Sequence, residues 1–140
     1  MMFLLNAAAA QSVVGTWHGR FSVDTSKLPK VTDLKQKQLL SDGLKRMHTT
    51  LGRAVMTLTL KGDKTYRFVG ENLPGPNKSS HTEGTYAQVG NTLTLTTKKE
   101  NGKPPKGEAL KPHKLTVEGS HLVRKLEGAG QVRISIIFGR

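Results

Sequence analysis

Residues 83–97 read EGTYAQVGNTLTLTT, two runs of alternating apolar and polar side chains separated by Gly90-Asn91. Such alternation predicts a half-buried β-strand, and a glycine-containing two-residue step between two such runs predicts a hairpin. Two similar steps, Gly62-Asp63 and Gly119-Ser120, separate further runs of the same kind. The sequence therefore predicts a protein built from antiparallel hairpins.

The rest of the chain continues this pattern in eight strand-like runs. In order, they span residues 13–24, 53–61, 64–70, 81–89, 92–99, 114–118, 121–127 and 131–138. Short strands in simple succession, separated by turn signals, are typical of an all-β meander. We predict an all-β, eight-stranded antiparallel up-and-down barrel.

One segment between the first two strands has a helical pattern instead. Residues 31–52 place apolar side chains at spacings of four, three and four, with charges on the other face. Thr32 or Asp33 can begin this helix and Gly52 can end it, while Gly43 allows a break into two shorter helices. The apolar stripe consists of Leu40, Leu44, Met47 and Leu51. It either packs against the barrel in the ordinary way or also forms a lid.

The connections between the predicted strands alternate strictly between long and tight. The first, third and fifth connections are long: the helical segment, residues 71–80 and residues 100–113. The second, fourth and sixth are the two-residue turns Gly62-Asp63, Gly90-Asn91 and Gly119-Ser120. Successive connections of an up-and-down barrel lie at opposite ends, so all the long ones fall at one end. This predicts a barrel with a mouth covered by the helical segment.

The lone tryptophan, in Gly15-Thr16-Trp17, falls at the opposite, hairpin end by the same argument. The first strand must begin there in order to reach the helical segment at the mouth. Gly15 allows the chain a tight entry. We predict that the indole of Trp17 fills the bottom of the barrel.

These features together resemble the bacterial lipocalin-like domains, within the superfamily of lipocalins and fatty-acid-binding proteins. The resemblance rests on Gly15-Thr16-Trp17, on MTLTLKGDKTYRF (56–68) and on residues 83–97, and it covers most of residues 13–140. It implies that a late basic residue, here Arg140, stacks on the indole.

The helical insertion is more similar to the cap of the fatty-acid-binding proteins. Those proteins bind a ligand carboxylate with an Arg-x-Tyr pair on the last strand. This chain keeps the arginine, Arg133, but has Ser135 in place of the tyrosine. The departure argues against a fatty acid as the ligand.

Strand alternation assigns one face of each strand to the barrel interior. Barrels of this size are either filled by side chains or hold one small ligand, and the sequence leaves both readings open. The inward set is Trp17, Phe21, Val23, Met56, Leu58, Leu60, Tyr66, Phe68, Leu93, Leu95, Leu115, Val117, Leu122, Leu126, Ile134, Ile136 and Phe138.

The net charge is +12, and residues 24–53 and 98–114, both assigned to the mouth, each contribute +4. Such a field attracts anions, although a solvated rim would have the same composition. Arg124 lies on the inward face of its strand, where a buried arginine needs a partner. Arg133 either faces solvent or, if the last strand shifts by one residue, faces inward.

We therefore predict a non-catalytic binding protein for a small hydrophobic or amphipathic, anionic ligand. Arg124 or Arg133 would orient the charged end of the ligand. A cavity below about 300 Å³ would exclude a ligand of this kind. The apolar walls would be Met56, Leu58, Tyr66 and Phe68, and the lid would be Leu40, Leu44 and Met47. The alternative is an interaction module with a filled core, whose basic loop end binds an acidic protein or polymer.

Other classes of function find little support in the sequence. The five histidines show no His-x-x-x-His spacing, the ten acidic residues are scattered, and neither a nucleophile elbow nor a phosphate-binding glycine loop is present. We expect no enzyme activity, no metal and no cofactor. Stacking aromatics are scarce on the predicted outer face, which argues against specific nucleic-acid binding. No run approaches the roughly 20 apolar residues of a membrane span.

The amino-terminal residues 1–10 contain a short apolar run that ends in Ala8-Ala9-Ala10. This ending fits a signal-peptidase site, although a basic n-region is missing, so the segment is either a signal-peptide remnant or a short apolar helix. The first reading predicts a periplasmic or secreted protein, with one lipocalin-like domain over residues 11–140.

Overall fold

The structure is a computed structural model that describes residues 12–24, 33–74, 78–126 and 133–140. Its strands are Gly15–Asp24 (β1), Val55–Leu60 (β2), Thr65–Glu71 (β3), Ser80–Val89 (β4), Thr92–Glu100 (β5), His113–Glu118 (β6), His121–Leu126 (β7) and Arg133–Gly139 (β8). An α-helix, α1 (Leu34–Gly52), lies between β1 and β2, and a 3₁₀-helix (Gly107–Leu110) lies between β5 and β6. The predicted signal-peptide remnant lies outside the described residues.

Each strand pairs antiparallel with the next along the chain, and β8 pairs with β1 to close the sheet. In this closing pair Phe21 lies opposite Ile136 and Val23 lies opposite Ile134. The structure thus confirms the predicted eight-stranded up-and-down barrel with one helix between the first two strands.

The hairpins joining β2–β3, β4–β5 and β6–β7 lie at one end of the barrel, which we call the closed end. Gly90 and Gly119 begin two of these turns with positive φ angles of 59° and 60°. The β2–β3 turn is longer than predicted, because residues 61–64 rather than 62–63 form it. The Asp63 carboxylate accepts hydrogen bonds from the Thr65 hydroxyl and backbone N–H, and these hold the pKa of Asp63 below its usual value. The strand ends that lead into the remaining connections lie at the other end, the mouth.

The closed end is filled as the sequence predicted. Trp17 is buried, and its indole N–H donates to the carbonyl of Val13 at 2.9 Å. The guanidinium carbon of Arg140 lies 4.2 Å from the ring centroid, and Arg140 also donates to the carbonyl of Ser12. Gly15 enters β1 with φ 143°, a backbone conformation that other residues rarely adopt.

Every side chain that the alternation assigned to the interior is buried or half-buried. Tyr86, whose facing the sequence left unassigned, is also buried and donates its hydroxyl hydrogen to the carbonyl of Lys61 at 2.6 Å. Burial raises the pKa of this hydroxyl. Arg133 is exposed, because β8 directs Ile136 and Phe138 inward. This corrects the prediction that Arg133 contacts a ligand inside the barrel.

Helix α1 is continuous through Gly43, so the predicted alternative of two shorter helices is wrong. Asp33 caps its start by accepting from the backbone N–H of Lys35 at 2.8 Å. Of its residues only Leu51 is buried, while Leu34 is 82% exposed. The helix contacts β1, and most of its surface faces solvent. Among the described residues, no helix combines the length and apolar character needed to cross a membrane.

Candidate binding cavity

A cavity of about 210 Å³ lies inside the barrel, among residues of β2–β8 and the β5–β6 connection. Most of its wall is apolar and comes from Leu58, Phe68, Leu95, Leu115, Ile136 and Phe138. Its polar lining comes from Tyr66, Ser80, Thr82, Thr97, Glu100, His113 and Arg124. Several of these polar residues stand at strand ends next to the mouth, so the polar groups are concentrated there.

The β5–β6 connection covers part of this cavity. Ala109, in the 3₁₀-helix, is buried and contributes to the lining. The predicted lid residues Leu40, Leu44 and Met47 are only half-buried and are absent from the lining. The helix contacts β1 instead, so the structure corrects the prediction that its apolar stripe faces the ligand. Met56, predicted as a wall residue, is buried in the core and also does not line the cavity.

Arg124 is the cationic group of the cavity, as the sequence predicted from its place between two inward leucines. Its Nη2 lies 3.0 Å from Nδ1 of His113 on the neighbouring strand β6. Because a guanidinium can only donate, Nδ1 of His113 is the acceptor and carries no proton in this arrangement. Burial lowers the pKa of Arg124, yet an arginine remains charged. Among the described residues, no carboxylate forms an ion pair with it.

Several lining residues were not predicted from the sequence, and Glu100 is the one that carries a charge. Simple alternation from Leu93 and Leu95 would direct Lys99 inward and Glu100 outward. The β4–β5 register contains an irregularity, because Glu83 pairs with Lys99 and the next residue, Gly84, pairs with Thr97. This β-bulge leaves Lys98 as an extra residue and reverses the facing beyond it.

The consequence of the bulge is visible in the exposure of three consecutive residues. Lys98 and Lys99 are exposed, whereas Glu100 is half-buried, lines the cavity and lies opposite Thr82, another lining residue. The only sequence signal was Gly84, since a glycine inside a strand often marks a bulge or a close backbone approach. A Cβ at Gly84 would lie 1.9 Å from the carbonyl oxygen of Thr96.

Two hydroxyl groups in the cavity wall are hydrogen-bonded to each other across the barrel. The oxygens of Tyr66 and Thr97 are 2.7 Å apart, and both residues are buried. Their bond satisfies two polar groups that would otherwise be unpaired in an apolar surrounding. It also joins β3 to β5, which are not neighbours in the sheet.

Replacing Tyr66 with phenylalanine should therefore lower the free energy of unfolding by about 1–2 kcal/mol, since it leaves the Thr97 hydroxyl unpaired. Urea denaturation of the variant measures this change. Thr97→Val alone should have a similar effect. The decrease in the free energy of unfolding should be smaller for the double variant than the sum of the two single decreases, because no hydroxyl is then left unpaired. Strict additivity would contradict a coupled pair.

The volume of the cavity limits the size of a ligand. At about 210 Å³ it lies below the limit of about 300 Å³ given above for pockets of drug-sized ligands. The small amphipathic ligand of the size first predicted is therefore excluded by the limit stated above, which corrects that prediction, and only a more compact molecule remains. An apolar cavity of about 150 Å³ can hold benzene. A molecule with a single ring or a short branched chain therefore does fit.

The described residues contain no group of three histidine, cysteine or acidic side chains arranged to hold a metal ion. Compared with known proteins, the sequence matches no family model and no curated protein. The closed eight-stranded barrel is compatible with a lipocalin-like fold.

Proposed function

We propose that the protein is a non-catalytic binding protein of the lipocalin superfamily that holds a compact amphipathic molecule in the mouth half of its barrel and acts outside the cytoplasm. The single observation behind this proposal is Arg124. Its guanidinium lines an apolar cavity and has no ion-paired carboxylate among the described residues. An uncompensated charge in such a place is unfavourable, and the anionic group of a ligand would supply the missing partner.

Two other features support the same function. The apolar wall formed by Leu95, Leu115 and Ile136 offers a short hydrocarbon group a dry surface. Residues 24–53 and 98–114, which the sequence analysis assigned to the mouth, contribute eight of the twelve net positive charges. Their field would raise the local concentration of anions at the opening and so speed association.

The alternative, an interaction module whose basic rim binds an acidic protein or polymer, draws on the same charges. The cavity favours the first function. The alternative assumes a core filled by side chains, whereas this interior contains a cavity with polar groups in its wall. The two functions differ in their response to salt. Binding of a polymer to many exposed lysines should weaken steeply with added salt, whereas binding of a small anion at the half-buried Arg124 should weaken less.

A short branched carboxylate, 4-methylpentanoate, is a suitable probe for the proposed function. We expect it to bind the protein, and we expect Arg124→Gln to raise its Kd at least about tenfold, because hydrogen bonds to charged groups are worth about 1.5–3 kcal/mol. Titration calorimetry or ligand-observed NMR measures both constants. The NMR spectrum should also show that the probe is released unchanged.

The matched control is Arg133→Gln, which removes a positive charge from the exposed face of β8. This variant has the same net charge as Arg124→Gln, so it should bind the probe like the unaltered protein. Circular dichroism establishes that both variants are folded. Equal losses in the two variants, or no binding of the probe by the unaltered protein, would contradict an interior anion site at Arg124.

A further inference from the structure

We propose that the ligand of the cavity is a small apolar zwitterion, with a carboxylate bound by Arg124 and an ammonium group bound by Glu100. This is the chemistry of a free aliphatic amino acid. The inference rests on the proposed function and adds a second charged contact to it. It concerns Glu100, which the function as proposed above does not use.

The first argument is that the cavity contains two opposite charges that do not neutralise each other. Arg124 on β7 and Glu100 on β5 both line it, and β6 lies between their strands. Among the side chains that the structure describes, no ion pair within 4.0 Å joins Arg124 to Glu100, whereas His81 and Glu83 on β4 do form one. Arg124 and Glu100 therefore do not neutralise each other by direct contact, and a ligand that carries both charges can contact each of them.

The second argument follows from the sign of these charges. A ligand with only a negative charge is attracted by Arg124 and repelled by Glu100. A ligand with only a positive charge is attracted by Glu100 and repelled by Arg124. Both effects are stronger in a partly desolvated cavity than in water. An uncharged ligand would displace water from both groups and replace neither interaction. A molecule that carries both charges gains two attractions.

The third argument is that the fold specifically turns this acidic residue inward. Glu100 follows Lys98 and Lys99 in a protein with a net charge of +12. The bulge opposite Gly84 leaves both lysines exposed and directs the single carboxylate of the three into the cavity. Without the bulge, Lys99 would face inward and the cavity would contain only cations.

The remaining features of the cavity set the size of the molecule. Beyond its charged groups, a volume of about 210 Å³ leaves room for a short branched chain or a single ring. The apolar wall provides contacts for that group. His113 also lines the cavity, and its hydrogen bond to Arg124 holds the guanidinium in place.

Three probes with one hydrocarbon skeleton separate the possibilities. They are leucine, 4-methylpentanoate, which lacks the ammonium group, and 3-methylbutylamine, which lacks the carboxylate. We expect leucine to bind the unaltered protein about tenfold more tightly than either of the others. It makes one additional hydrogen bond to a charged group, and the binding free energy of such a bond corresponds to about a tenfold change in Kd. Titration calorimetry at neutral pH measures the three constants.

A sign reversal in the Glu100→Gln variant provides the sharper test. This substitution should weaken the binding of leucine about fivefold or more and should strengthen that of 4-methylpentanoate, because it removes an attraction from one and a repulsion from the other. Glu118→Gln, which removes an exposed carboxylate at the closed end, is the matched control and should change neither.

The outcomes distinguish this inference from the proposed function. If 4-methylpentanoate binds as tightly as leucine and depends on Arg124, the zwitterion is excluded while the anion site stands. If none of the three probes binds, both are overturned for ligands of this size. The comparison of probes in the unaltered protein remains decisive even if Glu100→Gln does not fold.

Discussion

Replacing Trp17 with alanine is expected to lower the free energy of unfolding by about 3–5 kcal/mol. The indole is 3% exposed, so its removal leaves a large void at the closed end. Its hydrogen bond to Val13 and its contact with the Arg140 guanidinium disappear at the same time. Neither backbone hairpins nor short side chains nearby can fill the space that is left.

Urea denaturation followed by far-ultraviolet circular dichroism is the appropriate measurement, because the variant has lost the only tryptophan. His18→Ala, at the next and exposed position of β1, serves as the control and should change the free energy of unfolding by no more than about 0.5 kcal/mol. The loss of unfolding free energy for Trp17→Phe should be intermediate between the losses for Trp17→Ala and His18→Ala. A loss below about 1 kcal/mol for Trp17→Ala would show that the indole does not fill the closed end.

Replacing Gly84 with alanine is expected to destabilise the protein by about 3 kcal/mol. The added Cβ would lie 1.9 Å from the carbonyl oxygen of Thr96, and a backbone atom cannot move aside as a flexible side chain can. The β4–β5 pair must therefore rearrange around the bulge. Since the bulge sets the facing of Glu100, ligand binding should be affected together with stability.

Gly43→Ala is the matched control for this glycine substitution. Gly43 lies within α1, and a Cβ there would contact nothing within 4 Å. Alanine is a better helix former, so this variant should be more stable by about 0.5–1 kcal/mol. The same denaturation curves therefore test two changes of opposite sign. Equal stabilities for the two variants would contradict the close approach at Gly84.

The overall architecture could be predicted from the sequence because its signals are local. Glycine-containing steps such as Gly90-Asn91 and Gly119-Ser120 fix the hairpins, and alternation within each strand fixes most of the interior. The order of long and tight connections then determines the two ends. The pairing of Arg140 with Trp17 was implied by the resemblance to the lipocalin-like domains, and the structure places the guanidinium over the indole.

The candidate site could be predicted only in part, because its missing members depend on contacts between distant segments. Arg124 lies in a regular strand, and alternation was enough to direct it inward. Glu100 faces inward only because β5 has one residue more than β4 at their bulge, and a single strand does not reveal its partner's register. Likewise, the sequence of α1 shows which face of the helix is apolar but not what that face contacts. In the structure α1 packs on β1, and Ala109 covers the cavity instead.

The pairing of β1 with β8 has a consequence for folding during synthesis. Strands β2 to β6 each find both neighbours as soon as the next strand along the chain emerges, but β1 and β7 must both wait for β8. Until then β1 and β7 are open sheet edges, which can pair with other chains. A nascent or truncated chain that lacks β8 should therefore be prone to self-association, and pairing of β8 with β1 and β7 should end that exposure.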